Sequence, residues 1–447
     1  MPTPRIPEYI TVHLGSPNDP SAPNVQVPFI DYIKNVASSE IYPTWPESAL
    51  RANMLAQISF VLNRVYTEWY RSRGYDFDIT SDTQYDQKFI YGRDYFDSVS
   101  RIADEIFNDY LIREGNINPL FAQYCDGVRT TCSGLSQWGS VDLAEEGLIP
   151  YEILQYYYGN DIGIVYNAPT AANLPSYPGI ALGVGAASEE VRTIQRQLNR
   201  IGQNYPAVSP SLEANGLFDV STEEAVKNFQ RIFNLTQDGI VGKATWYKIK
   251  SIFNAVKGLA DLQGEGISYD EASRLYTRAV GRGNTGTPVE VVQYYLSVIS
   301  YFDPNLPQVY ITGTFDENTE NAVRLFQEQN GLPPDGIVGR ATWNALTVAY
   351  GRTVNSLPPE YLDRANEIYP GRFLSRGQEG NEVLELQRLI NLASANYPYI
   401  PAVTEDGIFG TATENAVRAI QSNSGLPVSG VAGPLTWYAI TSLAGVA

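Results

Sequence analysis

Histidine and cysteine are almost absent from this chain of 447 residues. His13 is the only histidine, and Cys125 and Cys132 are the only cysteines. One histidine cannot supply the side chains that a zinc amidase or a Cys–His peptidase needs, so both classes are disfavoured. Two cysteines are also too few for a small fold that depends on a disulfide framework.

Positive charge and long apolar runs are scarce as well. Lys and Arg number 31 against 49 Asp and Glu, and the formal net charge is −18. Such an acidic surface repels nucleic acids and anionic membranes, so neither is expected as a partner. No stretch approaches the roughly 20 apolar residues that a membrane-spanning helix needs, so membrane insertion is not expected. The hydrophobic share of 43% is that of a globular protein.

The C-terminal half repeats one pattern three times. Each copy has a glycine turn followed by T-E-x-A-V, then F-Q or I-Q, a second turn of the form G-I-V-G or G-V-A-G, and T-W. Before these motifs, apolar residues recur at spacings of three and four, as at Val191, Ile194 and Leu198, which predicts an opening helix. Ser221 with Glu224 fits a capping box at the start of the second helix. The tryptophans of the three T-W motifs are Trp246, Trp343 and Trp437.

The combination of these motifs resembles the peptidoglycan-binding domain family that accompanies many cell-wall hydrolases. The resemblance covers residues 185–256, 283–350 and 374–446. It implies three-helix modules that dock on peptidoglycan and carry no catalysis, with glycan strands and stem peptides both open as the ligand. We expect the three tryptophans to lie in the core rather than at the ligand, because large aromatic side chains dominate the burial energy of small folds.

Residues 1–165 have a different pattern, in which strand-like and helix-like segments are mixed. Residues 10–14 and 25–27 alternate apolar and polar side chains, which is typical of strands. Helical segments are predicted from residue 28 to residue 37 and from residue 46 to residue 69. The predicted fold class is therefore an α+β N-terminal domain followed by three small all-α modules of three helices each.

The predicted domain boundaries follow from these patterns and from the composition between them. The stretch that follows the N-terminal domain is rich in Pro, Ala and Gly, which is typical of an exposed connection. The predicted segments are 1–165 for the N-terminal domain, 166–185 for a linker, 186–256 for module 1, 257–282 for a helical connector, 283–350 for module 2, 351–373 for a second connector and 374–447 for module 3.

Two sequence blocks stand out in the N-terminal domain. The first reads Y-I-K-N-V-A-S-S-E and continues, after a proline gap, with P-E-S-A-L-R-A-N. The second reads G-L-S-Q-W-G, followed by A-E-E-G and Y-E-I-L-Q-Y-Y-Y. Together the blocks resemble the stage II sporulation protein D family. The resemblance implies a lytic transglycosylase, which cleaves glycan strands and leaves an anhydro-muramic end, and it maps the catalytic acid of the family onto Glu40.

A single carboxyl group is sufficient for this chemistry. Glu40 would protonate the leaving glycosidic oxygen and then accept the proton of the sugar's own hydroxyl, provided that a shielded site raises its pKa. No second nucleophilic carboxylate is needed, unlike in ordinary retaining hydrolases. Tyr42 and Trp45 are candidates for an apolar wall or for stacking on sugar, and Ser136 and Gln137 of the second block are further candidates for substrate binding. The alternative is that Glu40 is a helix-boundary carboxylate with structural hydrogen bonds.

The chain departs from the family at the start of its long helix. Members of the family continue with A-A-R-T-Y, whereas this chain has A-Q-I-S-F, so that the arginine falls on Ile58 and the tyrosine on Phe60. A site without that arginine is open to a second interpretation, in which the domain is a non-catalytic relic. The protein would then be a structural or anchoring component of a spore coat, of the wall or of a phage or injection device.

The cysteines are a second departure. Some members of the family are described as holding zinc with one histidine and two cysteines, but no histidine accompanies Cys125 and Cys132. We therefore expect no metal and no other cofactor. A disulfide bond and two free thiols both stay open, and assembly in the cytosol would favour free thiols.

Together these patterns predict a peptidoglycan-binding protein of a Gram-positive, spore-forming bacterium, with a lytic transglycosylase domain or an inactive version of it. The first eight residues contain neither a basic head nor an apolar run, so a signal peptide of the usual kind is not expected. We expect synthesis in the cytoplasm, followed by association with the mother cell or the spore, or by passage to the wall through lysis or non-standard export. Self-assembly of the chain stays open.

Overall fold

A computed structural model describes residues 4–172, 176–208, 211–272, 276, 278–355, 369–370 and 373–445. The chain divides into two compact units. Unit 1 comprises Met1–Ser176 and Lys250–Ser273, and unit 2 comprises Tyr177–Ile249 and Arg274–Ala447. Among the described helices, none combines the length and the apolar character that crossing a bilayer requires.

Unit 1 mixes helices with short strands, which confirms the predicted α+β class. Its helices in the first segment are α1 (Phe29–Glu40), α2 (Glu47–Tyr66), α3 (Asp97–Ile106), α4 (Gln137–Glu145) and α5 (Pro150–Tyr158). Its strands are β1 (Ile6–Pro7), β2 (Tyr9–His13), β3 (Asn24–Pro28), β4 (Ile79–Thr80), β5 (Tyr110–Arg113), β6 (Tyr124–Cys125), β7 (Leu135–Ser136), β8 (Ile162–Val165) and β9 (Thr170–Ala171). They form a three-stranded sheet of order β3-β2-β4 and three pairs, β1-β9, β5-β8 and β6-β7.

Helix α2 is the centre of the core of unit 1. Its side chains from Ala52 to Arg64 are all buried, so the helix has no solvent-facing stripe over this stretch. A helix that is buried on every side belongs inside a domain rather than on its surface. It packs against α1, α3, α4, α5 and β5. The polar side chains in its buried stretch therefore need partners inside the protein, and one of them, Gln57, contributes to the site described below.

Residues 250–273 also belong to unit 1, although they follow most of module 1 in the chain. They include the last residues of α8 (Lys243–Lys257) and the short helix α9 (Tyr269–Ala272). The buried amide of Asn63 donates to the carbonyl oxygen of Leu259 at 2.8 Å, and Asn254 donates to the carbonyl oxygen of Thr67 at 2.6 Å. Lys257 pairs with Glu271 at 2.7 Å. The predicted connector 257–282 thus divides between the two units, with most of its described residues in unit 1.

Unit 2 is all-helical, as the sequence predicts, and contains modules 2 and 3 and most of module 1, whose helix α8 ends in unit 1. Besides α8, the module helices are α6 (Glu189–Asn204) and α7 (Val220–Ile232) in module 1, α10 (Thr287–Phe302), α11 (Glu317–Gln329) and α12 (Arg340–Asn355) in module 2, and α13 (Asn381–Asn396), α14 (Thr411–Asn423) and α15 (Pro434–Ala444) in module 3. Most of the predicted connector 351–373 lies outside the described residues.

A buried glutamine organises each turn of the modules. In module 1, Gln230 on α7 accepts a hydrogen bond from the N–H of Gly239 at 2.9 Å and donates to Asp238, to the carbonyl oxygen of Ile240 and to Thr245 at 2.7–3.2 Å. Gly239 has φ +77°, a conformation in which a side chain would be strained. We call this arrangement a glutamine clamp. Each side-chain amide is hydrogen-bonded both to a turn and to the helix after it. The clamp therefore fixes the position of the turn relative to the two helices that it joins.

The glutamine clamp occurs twice in every module. Its first copy joins the first helix to the following turn, as Gln195 does with Gly216 and Leu217 at 2.9 and 2.8 Å. Each module is therefore two successive clamp units, and a long loop separates the glutamine from its turn in the first of them. The six glutamines, all at most 1% exposed, are Gln195, Gln230, Gln293, Gln327, Gln387 and Gln421.

The capping box predicted at Ser221 and Glu224 is wrong. Helix α7 begins at Val220, and its N-cap is Asp219, two residues before Ser221. The Asp219 carboxylate accepts a hydrogen bond from the N–H of Thr222 at 2.8 Å and another from the hydroxyl of Ser221 at 2.8 Å. Aspartate and serine are comparable N-cap residues, and here the aspartate takes the cap while the serine lies in the first turn and bonds to it.

Candidate functional site

Glu40 is the last residue of α1, and the chain leaves the helix directly after it. Ile41 has an extended backbone with φ −122° and ψ 158°. Pro43 and Pro46 follow, and proline lacks the N–H that a continuing helix needs. The carboxyl group thus lies at the negative end of the helix dipole, where a charged carboxylate is disfavoured.

Three donors of the protein surround the Glu40 carboxyl group. The backbone N–H of Lys88 donates to Oε1 at 2.8 Å. The hydroxyl of Tyr124 and the side-chain amide of Gln57 both donate to Oε2 at 2.7 Å. The residue stays partly exposed while its carboxyl group is enclosed by these partners. The group is therefore held in one position and remains at the edge of the solvent.

Burial raises the pKa of Glu40 above its ordinary value. The hydrogen bonds from Lys88, Tyr124 and Gln57 act in the opposite direction, because they stabilise the charged form, but burial is the largest contribution. A carboxyl group with a raised pKa keeps its proton at higher pH and is suited to donate it to a leaving group.

An aromatic cluster follows Glu40 in the chain. The Tyr42 ring lies 5.7 Å from Trp45 and 5.6 Å from Trp138, measured between centroids, and the two tryptophan rings are 5.0 Å apart. Trp45 is 9% exposed, whereas Tyr42 is 57% and Trp138 is 42% exposed. The buried ring thus supports two exposed rings that present apolar faces to solvent. Such faces suit stacking on a sugar ring, because an aromatic side chain offers a large, rigid apolar surface.

The two sequence blocks converge at this site. Asn53 of the first block donates to Ser140, directly after the second block's W-G, at 2.7 Å in the buried interior. Strand β6 pairs in parallel with β7, with Tyr124 opposite Leu135. Through this pairing the strand that delivers Tyr124 to Glu40 lies beside the strand that leads to Trp138. Residues nearly 100 positions apart are therefore adjacent in the fold.

A disulfide bond closes the loop between these two strands. Cys125 and Cys132 are bonded, which selects one of the two alternatives that the sequence leaves open. Inside the loop, Asp126 accepts hydrogen bonds from the backbone N–H groups of Val128, Arg129 and Thr130 at 2.8–3.0 Å. The loop is therefore closed twice, once by a covalent bond and once by a carboxylate.

Ser136 and Gln137 were predicted to bind substrate, and the Ser136 hydroxyl has a partner within the protein fold. The Ser136 hydroxyl is the N-cap of α4 and accepts from the N–H of Gly139 at 3.0 Å. A Cβ on Gly127 would come within 1.8 Å of this hydroxyl, so the glycine lies directly against it. Gln137 is 6% exposed, and its Nε2 has no hydrogen-bond partner among the described atoms. The structure thus brings both residues to the site, where their first evident role is to shape α4.

Ile58 and Phe60 lie on α2, at the family's arginine and tyrosine positions, and both side chains are buried in the core of unit 1. The α2 residue that contacts Glu40 is Gln57, one position before Ile58. Arg64 pairs with Asp86 at 2.9 Å, two residues before the Lys88 whose N–H donates to Glu40. The contact between α2 and Glu40 therefore exists in this chain, and an uncharged amide makes it.

Three residues of this site were missed by sequence reasoning. Gln57, Tyr124 and Trp138 contact Glu40 or its aromatic neighbours, but none was a candidate. Trp138 had a signal, because it lies inside the second block directly after two residues that were chosen. Tyr124 had only its position next to Cys125, and nothing in the sequence relates it to Glu40.

His13 takes no part in this site. Its ring contacts Asn24 at 2.8 Å and the carbonyl oxygen of Ser16 at 3.0 Å, and it stacks on Phe77. In the part of the chain that the structure describes, no three His, Cys, Asp or Glu side chains are grouped so that they could hold a metal ion.

The tryptophans of the modules are core residues. Trp246, Trp343 and Trp437 are 8%, 4% and 2% exposed. On the surface, all three modules retain an acidic and a basic side chain one helical turn apart on the second helix. In module 2, Arg324 pairs with Glu320 at 2.8 Å and donates to the carbonyl oxygen of the turn residue Pro334 at 2.6 Å. The equivalent pairs are Glu223 with Lys227 and Glu414 with Arg418.

Comparison with known proteins identifies the modules. Residues 187–249, 285–346 and 379–440 each match the family model of the putative peptidoglycan binding domain. The matches coincide with the three helical modules. The chain therefore contains three peptidoglycan-binding domains in its C-terminal half, and peptidoglycan is the binding partner that these domains support.

The chain is also similar to proteins that are named as amidases and as a carboxypeptidase. It is 31% identical to the N-acetylmuramoyl-L-alanine amidase CwlL of Bacillus licheniformis over 165 residues, which cover 37% of this chain and 44% of the relative. It is 28% identical to the N-acetylmuramoyl-L-alanine amidase CwlM of Mycobacterium tuberculosis over 184 residues, with 40% of each chain covered. The zinc D-Ala-D-Ala carboxypeptidase of Streptomyces albus G is 37% identical over 68 residues, which are 15% of this chain and 25% of the enzyme.

The chain spans less than half the length of each of these relatives. No solved structure matches it. The domains and the relatives support a protein that binds the cell wall. The likeness of the N-terminal domain to the stage II sporulation protein D family stays a prediction, since these relatives are named as amidases and a carboxypeptidase.

Proposed function

We propose that this chain docks on peptidoglycan through its three modules and cleaves glycan strands through Glu40 in unit 1. The observation that carries the proposal is a partly exposed glutamate whose pKa is raised by burial and which is followed in the chain by exposed aromatic rings. The association with the spore or the mother cell, which the sequence resemblance implies, is part of the same proposal.

The reaction needs one carboxyl group that acts twice. Protonated Glu40 donates its proton to the glycosidic oxygen while the bond from that oxygen to the anomeric carbon breaks. The sugar's own hydroxyl then forms the new bond to the anomeric carbon, and its proton passes to the Glu40 carboxylate. The acid is thereby regenerated, and water is not consumed. Stacking on Tyr42 and Trp138 would hold the sugar in place for this step.

Purified sacculi incubated with the full chain test the proposal. We expect soluble fragments with anhydro-muramic ends, detected by mass spectrometry, and we expect them to vanish with Glu40→Gln. Glu145→Gln is the matched control, because Glu145 is an exposed glutamate of the same unit. Release of free stem peptides instead would indicate amidase activity, and sacculi that are bound but never cut would contradict the proposal.

The Glu40→Gln variant needs a check of its fold. The amide nitrogen of glutamine would face a donor on one side, since both oxygens of Glu40 accept hydrogen bonds. A mismatch of this kind costs roughly 1–3 kcal/mol. Circular dichroism spectra and unfolding curves of the variant therefore accompany the assay. Glu40→Asp, which keeps the acid and shortens its reach, provides a second variant.

Binding without cleavage is the second candidate function. The observation that favours it is that Ile58 is buried where the family has an arginine, while the uncharged amide of Gln57 contacts Glu40. A structural carboxylate would have the same bonds. The chain matches less than half of each amidase relative, so the activity named for those relatives favours neither candidate function.

A further inference from the structure

Exposed aromatic side chains are concentrated in one loop of unit 1. Residues 85–96, which we call the aromatic loop, connect β4 to α3. Large hydrophobic side chains are normally buried, so a cluster of exposed ones usually marks a binding surface. The exposed ones in this loop are Tyr85 (44%), Ile90 (40%), Tyr91 (63%), Tyr95 (38%) and Phe96 (39%).

The aromatic loop is fixed against the helix that ends at Glu40. The Asn35 side chain exchanges two hydrogen bonds with the backbone of Ile90, at 2.8 and 2.9 Å. The N–H of Phe96 donates to the hydroxyl of Ser38 at 3.3 Å. The exposed rings are therefore held in place beside the end of α1.

Glu40 is hydrogen-bonded to the aromatic loop and also to strand β6, whose partner strand leads to the aromatic cluster. Its Oε1 is bonded to the loop through Lys88, whereas its Oε2 is bonded to Gln57 and Tyr124. Strand β6, which contains Tyr124, pairs with the strand that leads to Trp138. Exposed aromatic side chains therefore occur both in a loop that is bonded to Glu40 and in a cluster that follows Glu40 in the chain.

The charges of the loop fit a ligand with little charge of its own. Asp86 is buried and paired with Arg64. The outward charges are Lys88, Arg93 and Asp94, and the Arg93 guanidinium lies 5.6 Å from the ring of Phe96. Aromatic faces with a few polar groups and nearly balanced charge favour sugar rings over a polyanion.

We propose that the aromatic loop is a second glycan-binding site, which holds further sugar units of the strand that reaches Glu40. The inference rests on the proposed function in placing both sites on one strand. A strand that reaches from Glu40 to the loop is bound over several sugar units, so the protein would prefer long strands to short ones. The side chains that we expect to contact the sugars are Tyr91, Tyr95 and Phe96.

Calorimetric titration of the full chain in the Glu40→Gln background tests the site, with chitohexaose and chitobiose as probes. We expect the triple variant Tyr91→Ala, Tyr95→Ala and Phe96→Ala to raise the Kd for the hexasaccharide at least fivefold. The Kd for the disaccharide, which is too short to reach from Glu40 to the loop, should change less than twofold. Tyr91→Ala alone, at the most exposed position, is the variant that is least able to disturb folding.

The matched control is Tyr9→Ala with Tyr166→Ala, which removes two exposed rings of the same unit. Its Kd values should equal those of the unsubstituted background. An unchanged Kd for the hexasaccharide in the loop variant, with unfolding curves unaltered, overturns the inference. Loop-dependent binding in a protein that never releases anhydro products supports the site and sinks the proposed cleavage. If the loop substitutions leave the cleavage of long strands unchanged, the second site is contradicted and the proposed cleavage is not.

Discussion

At the scale of the residue, Glu40 is subject to opposing influences. Burial and its place at the end of a helix favour the protonated carboxyl, whereas three hydrogen-bond donors favour the carboxylate. A purely structural carboxylate would gain from the donors and lose from the burial. An acid that must release and regain a proton needs both forms to be accessible, and this balance provides them.

The pH dependence of stability reports on this balance. A glutamate whose pKa is higher in the folded state than the ordinary 4.5 stabilises the fold in its protonated form. Its contribution is fully present below pH 4.5 and is lost as the pH rises through the pKa of the folded protein. As the pH rises, the unsubstituted protein loses this contribution, whereas the Glu40→Gln variant has none to lose. We therefore expect the free energy of unfolding of Glu40→Gln to rise relative to that of the unsubstituted protein.

Urea unfolding at a series of pH values measures this difference. The exposed control Glu145→Gln should track the unsubstituted protein at every pH. A difference between Glu40→Gln and the unsubstituted protein that stays constant from pH 4 to pH 8 would falsify the raised pKa.

At the scale of the element, the pair β6-β7 depends on its disulfide. Cys125 directly follows Tyr124, so the bond to Cys132 restrains the residue that donates to Glu40. Removal of a disulfide that closes so short a loop costs about 2 kcal/mol. We expect Cys125→Ser with Cys132→Ser to lower the free energy of unfolding by that amount and to slow glycan cleavage.

Reductant provides the control for this prediction. Dithiothreitol should reproduce both effects in the unsubstituted protein and add nothing in the double variant. Equal stability of the two proteins under oxidising conditions would contradict it.

The glutamine clamps make a second prediction at this scale. Gln327 bonds the N–H of Gly336, the Asp335 carboxylate and the Thr342 hydroxyl, all inside module 2. Gln327→Ala leaves the N–H of Gly336 without its partner and removes one partner each from Asp335 and Thr342, and we expect it to lower the free energy of unfolding by about 2–4 kcal/mol. Gln329→Ala, at an exposed position of the same helix, should change it by less than about 0.5 kcal/mol. Thermal unfolding distinguishes the two, and equal effects would rule out the clamp as the cause.

The sequence was most informative where a periodic pattern decides the structure. The opening helices of the modules and strands β2 and β3 follow from spacings of three, four and two. The glutamines of the clamps recur in the sequence as well, but their partners lie up to 27 residues away across a loop, as with Gln195 and Thr222. Contacts such as that of Tyr124 with Glu40 depend on packing between distant segments, which no local pattern records.

At the scale of the whole molecule, net charge predicts how salt affects docking. A chain of charge −18 is not attracted to anionic polymers of a wall, so its modules must bind through hydrogen bonds and apolar contacts. Raising the salt concentration shortens the screening distance to about 3 Å at 1 M and weakens repulsion between like charges. We expect retention on sacculi to hold or increase between 0.05 and 0.5 M NaCl.

A pull-down with sacculi across this range measures the effect, and a basic protein of similar size is the control that salt should release. Release of the chain by salt would instead assign docking to its cations, with the pairs at Glu320 and Arg324 as the first place to look.

The discontinuity of unit 1 affects the order in which the protein can mature on the ribosome. The first 176 residues emerge before the segment that bonds to Asn63 and Thr67, and residues 177–249, which are most of module 1, must be synthesised in between. Most of module 1 is in this sense an insertion in the sequence of the N-terminal unit. We therefore expect a chain that stops at residue 249 to lack a complete unit 1, so that any activity of that unit would begin only after module 1 has been synthesised.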